Sequence, residues 1–193
     1  VTVEVVMTVQ LLRHKFTVQQ YHKMFELGIL KEDERVELIR GEIIEMSPIG
    51  TKHAACVKCL NKLLSSKLRD RVLIAIQDPV ELNDNSQPQP DVALLKPRDD
   101  FYAAAHPQPQ DIFLLIEVAD STIIYDREEK IPLYAEANII AVWLVDINEQ
   151  IVEVYQQPTA TGYQHIQKFA GGETLSIPGF SDVTITVNEI FGR

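Results

Sequence analysis

The sequence predicts an α/β fold of the α+β kind, a central mixed sheet flanked by helices. Three observations carry that expectation. Apolar runs of strand length, Val92-Ala93-Leu94-Leu95 and Ile112-Phe113-Leu114-Leu115-Ile116, read as buried strands. Between Thr51 and about Arg69 the residues Ala54, Val57, Leu60, Leu63, Leu64 and Leu68 instead make one helical stripe. Past Ile139 the chain reads as strands joined by short turns, so helices and strands are partly segregated along it.

Residues 1–15 are read as a leader that is mobile or weakly paired, although its Val-rich start would also suit an edge strand. Phe16 precedes a threonine N-cap at Thr17, and Tyr21, Met24, Phe25 and Leu27 follow at helical spacing, so a first helix ends near Gly28. Val36 to Ile39 and Glu42 to Met46 flank Arg40-Gly41, a pair suited to a tight hairpin turn. Strands are expected over Val72 to Gln77, Val80 to Leu82, Pro90 to Leu95 and Ile112 to Val118, with Pro79, Pro88 and Pro90 marking the breaks. Lys96 to Gln110 is a loop or short helix. After a segment around Lys130, strands are expected over Ile139 to Asp146, Ile151 to Gln157, Tyr163 to Ala170, and from Phe180 into a terminal turn near Phe191. Trp143 lies in an apolar strand and reads as core. One domain over residues 16–193 follows from the length.

Composition narrows the function classes. No apolar run approaches the roughly 20 residues that cross a bilayer, and the first residues lack the order of a signal peptide, so a cytoplasmic protein without a membrane partner is expected. Cys56 and Cys59 stand at CxxC spacing without a second pair or the histidines of a zinc site, and read as reduced, partly buried thiols. The net charge of −10 argues against broad binding to nucleic acid by counterion release, and the basic run Arg13-His14-Lys15 does not offset it.

Asp91 opens one apolar run, Glu117 ends the next, and Lys130 follows on an amphipathic segment. Phosphodiester hydrolysis needs an activated water and a counter to the charge gathering on the phosphoryl oxygens, and a divalent metal supplies much of both. Mg²⁺ takes oxygen ligands and keeps several waters, so two carboxylates at neighbouring strand ends suffice to hold it. Unneutralised, the same pair would raise one another's pKa and destabilise the fold. Asp126, Lys130 and Tyr134 are each four apart and would share one helix face, although Pro132 predicts a kink or a late start. The plainer readings are a turn residue at Asp91, a solvated lysine at Lys130, a cap or ion pair at Asp126 and a half-buried aromatic at Tyr134.

These residues, together with Glu37-Leu38-Ile39-Arg40-Gly41-Glu42, His53, Gln89-Pro90-Asp91-Val92, Glu117-Val118-Ala119-Asp120-Ser121-Thr122 and Val142-Trp143-Leu144-Val145-Asp146, resemble the Uma2-like (DUF820) endonucleases of the PD-(D/E)xK superfamily. The resemblance implies a restriction-endonuclease-like core with Asp91, Glu117 and Lys130 as catalytic acid, acid and lysine. On that chemistry Mg²⁺, or Mn²⁺, is expected on Asp91 and Glu117 with the Val118 carbonyl as a further candidate ligand, and the endonuclease resemblance implies DNA as substrate. Ala119 stands where the superfamily places its lysine, so that function falls to Lys130 on the following helix. Glu37, His53, Asp126 and Tyr134 are accessory candidates; a solvent-facing strand position for Glu37 and a loop contact for His53 are the competing readings. The alternative function is a non-catalytic module that keeps the fold and recognises nucleic acid or protein. A homodimer would place two sites on a duplex.

Overall fold

The computed structural model describes residues 13–193. The leader expected over residues 1–15 lies outside the described residues except for its end, where Lys15 Nζ sits 2.7 Å from Glu42 Oε1. No helix among the described residues is long and apolar enough to cross a membrane.

Helix α1 (Val18–Glu26) starts in a capping box in which the Thr17 side chain accepts from Gln20 N and Gln20 returns the contact. It stops before Gly28, whose φ of +69° is open to glycine at little cost. Strands β1 (Val36–Ile39) and β2 (Glu42–Glu45) form the expected hairpin. Arg40 and Gly41 both have positive φ, and a Cβ on Gly41 would come within 2.7 Å of Lys15 Cβ. The hairpin is tied to the chain ahead of Asp91 by a Leu38–Gln87 bridge, with Gln87 N donating to Leu38 O at 2.7 Å. Helix α2 (Thr51–Leu68) buries the predicted stripe, with Leu60, Leu64 and Leu68 fully covered.

Six strands then make one sheet, β3 (Leu73–Ile76), β4 (Val92–Leu95), β5 (Ile112–Ala119), β6 (Ala141–Asp146), β7 (Ile151–Thr159) and β8 (Gly162–Phe169), in spatial order 3-4-5-6-7-8. Every neighbouring pair is antiparallel except β5 and β6. A parallel pair needs a crossover, here helix α3 (Ile123–Tyr125), a π-helical turn (Asp126–Lys130) and helix α4 (Ile131–Glu136). One face of the sheet packs on α2 through residues such as Ile116, Trp143 and Val154; the other packs on α4 through Leu115, Leu144 and Tyr155. Trp143 is core, as expected.

Two strand expectations need correction. Val80 to Leu82 is a loop that folds onto itself, Val80 N donating to Pro88 O and Leu82 N to Ser86 O, both at 3.0 Å. The flanking prolines lack the N–H groups a longer ladder would need. Conversely, β9 (Thr174–Ile177) pairs with β10 (Phe180–Thr186), a hairpin that with α5 (Val187–Ile190) covers the α2 face. Only Leu175 and Ile177 mark β9, too short an alternation to read as a strand.

Candidate active site

Asp91 and Glu117 meet because of register. Val92 pairs with Ile116, so one residue further out Asp91 stands across from Glu117. Directly opposed like charges destabilise a sheet unless something neutralises them. Beyond that last pair the Val118 N–H has no β4 acceptor and donates to Asp91 Oδ2 at 2.8 Å. His53 Nε2, on the first turn of α2, lies 3.0 Å from the same oxygen, and Gln77 Nε2 donates to Oδ1 at 3.0 Å. Burial alone would raise the Asp91 carboxyl; the His53 and Val118 contacts outweigh it and hold the carboxyl below its ordinary value. The Asp91 hydrogen bond in turn raises His53 above the usual imidazole range, against the effect of burial.

Lys130 reaches Glu117 through the π-helical turn. An α-helical bond at position 132 would need an N–H that Pro132 lacks, and the proline ring would crowd the carbonyl four residues earlier. The turn widens, with Ile131 N donating to Asp126 O, and Asp126 and Lys130 are both buried. A π turn of this kind is a frequent functional device. Lys130 Nζ lies 2.8 Å from Glu117 Oε1, 3.5 Å from Glu37 Oε2 and 3.4 Å from the Gln89 carbonyl. The Tyr134 hydroxyl donates to the same Glu117 oxygen. Glu37 also accepts from Gln89 N at 3.1 Å and from the Tyr125 hydroxyl at 3.3 Å.

Burial pushes the Glu117 carboxyl up to about 8; Lys130 opposes the shift, and the charges of Asp126 and Asp91 add to it. Burial also disfavours the Lys130 ammonium, yet Glu117, Glu37 and Asp126 hold its pKa well above the ordinary lysine value. Asp126 is raised by burial while its Oδ2 accepts from Thr122 Oγ1 at 2.7 Å.

The carboxyls of Asp91, Glu117, Glu37 and Asp126 line one cavity of about 370 Å³ with Lys130, His53 and Val118. Tyr134 is wholly buried and does not line it, and Glu37, at 3% exposure, faces the site and not solvent. Arg35, Gln77, Tyr125 and Thr122 also line it. Sequence reading missed these four, and Thr122, four residues before Asp126 on the line of Asp126 and Lys130, was the one open to inference from spacing.

Among the described residues, no three His, Cys, Asp or Glu side chains converge to hold a metal ion. The donor chemistry nevertheless fits a hard divalent cation. Two carboxyls on facing strand ends offer oxygen, and Glu37 and Asp126 add two more to the cavity that holds the one lysine ammonium.

The Uma2 family model, "Putative restriction endonuclease", matches residues 18–188. The chain belongs to the Uma2 family. A solved structure, "a putative nuclease belonging to DUF820 from Anabaena variabilis", superposes with a TM-score of 0.68 at 21% identity. The match covers 88% of this chain and 97% of that one, so the two share a fold. None of the curated proteins matches the chain. Within this Uma2 fold the strand that carries Glu117 continues into Ala119, which packs in the core on the α4 face, and the lysine beside the acids comes from the crossover.

Proposed function

We propose that this Uma2 protein is a metal-dependent endonuclease that hydrolyses phosphodiester bonds in DNA. The observation that carries the reading is the convergence of Asp91, Glu117 and Lys130 on one solvent-reachable cavity. Asp91, Glu117 and the Val118 carbonyl would hold Mg²⁺ or Mn²⁺. Bound there, such an ion supplies Lewis-acid stabilisation of the phosphoryl oxygens and a lower pKa for the attacking water. In the reaction water adds to phosphorus, the bond to one bridging oxygen breaks, and a phosphate monoester and an alcohol are released. Lys130, kept protonated by the carboxylates around it, serves as a fixed positive charge beside the phosphate and not as a base. His53 and Gln77 orient Asp91.

Calorimetric titration of Mg²⁺ and Mn²⁺, with nicking of supercoiled plasmid on the same samples, tests the reading. Wild type is expected to bind and nick, Asp91→Ala and Glu117→Ala to lose both, and Lys130→Ala to bind yet cut at least about a hundredfold more slowly. Metal binding and nicking that survive Asp91→Ala would overturn it.

A further inference from the structure

The shape and lining of the same cavity bear on which form of nucleic acid enters it. The carboxylate of Glu117 and the ammonium of Lys130 lie on residues only 2% and 3% exposed, so a scissile phosphate must come down to them. B-form duplex holds its phosphates on the outside of a stiff rod and is gripped by many Lys and Arg side chains at once. The cavity offers Arg35 and Lys130, in a chain of net charge −10. The wall that runs from the end of β2 to the start of α2 includes Glu45 and Ser47 but presents Ile44, Met46, Pro48 and Ile49 as its apolar part, with Tyr125 also lining the space. Arg35 ties that wall in place, its Nη1 donating to the Ser47 carbonyl at 2.8 Å. Ile49 is 41% exposed, a large apolar side chain left beside an acidic floor.

An apolar wall beside a charged floor, in about 370 Å³, matches the two halves of one nucleotide, a base with an apolar face and a phosphate. We propose that the site accepts an unpaired nucleotide of a single-stranded or bulged strand, its base against Met46, Pro48 and Ile49 and its phosphate over Asp91 and Glu117. The proposal rests on the nuclease reading for the role of the floor. Extruding a nucleotide from paired DNA costs a few kcal/mol, and that cost is absent where the strand is already unpaired. Single strands and bulges are therefore preferred over matched duplex.

One oligonucleotide sequence, presented as single strand, as a bulge within a duplex and as matched duplex, separates the cases. Binding is read by fluorescence anisotropy in Ca²⁺ and cleavage in Mg²⁺ and Mn²⁺. The single strand and the bulge are expected to bind at least about tenfold tighter than the duplex. Ile49→Ser should weaken single-strand binding about fivefold, while Ile166→Ser, an exposed change on β8, leaves it as it was. Duplex bound and cut as well as single strand would overturn this inference and leave the nuclease reading standing. Single-strand preference without cleavage in either metal would sink the nuclease reading and keep the preference. No binding to any of the three forms would remove both.

Discussion

Glu117 and Glu153 are both 2% exposed glutamates in the same sheet, on β5 and β7, and their carboxyls are driven in opposite directions. Glu117 is pushed up to about 8, whereas Glu153, despite burial, is pulled down to about 2 by Arg127, Lys168 and the Tyr155 hydroxyl. Arg127 grips Glu153 with two nitrogens, at 3.2 and 3.0 Å, and Lys168 Nζ lies 2.8 Å away. Those cations are 41% and 64% exposed, so water still reaches the charge they share. Around Glu117 the proportion is reversed, with Asp91, Asp126 and Glu37 crowding near the single ammonium of Lys130. The Glu153 cluster sets two cations against one carboxylate and docks the π-helical turn, through Arg127, onto the sheet. The Glu117 cluster is left short of positive charge, which is the condition a cation-binding site requires and a structural ion pair does not.

Removing the charge from each glutamate is the sharpest way to break that comparison. Glu153→Gln leaves Arg127 and Lys168 without their carboxylate and is expected to cost about 1–2 kcal/mol, discounted for their exposure. Glu117→Gln relieves the acid crowding and is expected to leave metal-free stability unchanged or higher, while abolishing metal binding. Denaturant melts in chelator, with calorimetric titration of Mg²⁺, read both. An equal loss of stability in the two variants would make Glu117 an ordinary buried ion pair.

The two clusters also predict opposite pH slopes. Glu117 has a folded pKa above its unfolded value near 4.5, so the folded state holds the extra proton between those values, and its stability contribution falls as pH rises from about 4.5 through 8. Glu153 has a folded pKa below 4.5; its contribution is fully present above 4.5 and is lost as pH falls towards 2. Metal-free wild type should therefore melt lower at pH 8 than at pH 6, and Glu117→Gln should flatten that limb. Added Mg²⁺ should raise the melting temperature at pH 8 in wild type and not in Asp91→Ala. A limb unaffected by Glu117→Gln would assign the titration to another group.

The same contrast shows what sequence conveys. An acid set within a strand-length apolar run singles out Glu117, and Ile151-Val152-Glu153-Val154-Tyr155 carries the same local signal, so the run alone does not tell the two glutamates apart. Local chemistry was readable where it acts over a few residues: the Thr17 cap, Arg40 with Gly41, the α2 stripe. The expected helical line of Asp126, Lys130 and Tyr134 was half right. Pro132 announced a distortion, but its form, a π turn that buries Asp126 and Lys130 together, depends on where α4 docks on the sheet. His53 against Asp91 and Glu37 against Lys130 are contacts between distant segments, set by helix and hairpin placement that no local pattern records.

The smallest effect belongs to the two tyrosines, each of which donates its hydroxyl to one of the glutamates, Tyr134 to Glu117 and Tyr155 to Glu153. A neutral donor stabilises a carboxylate more than a carboxylic acid, so deleting it costs about 1 kcal/mol or somewhat more only where the acid is ionised. Glu153 is ionised at both pH 5 and pH 8, held so by Arg127 and Lys168. Tyr155→Phe should accordingly lower stability by the same amount at both. Glu117 is protonated at pH 5 in the absence of metal and only partly so near pH 8. Tyr134→Phe should therefore cost more at pH 8 than at pH 5, and in chelator the titration limb should move to higher pH, because the lost donor had favoured the charged form. Equal penalties at the two pH values for Tyr134→Phe would mean that Glu117 is already ionised in the metal-free protein. In that case Lys130 alone balances it, and the excess of acid that sets this cluster apart from the one at Glu153 would have to reside on Asp126 and Glu37.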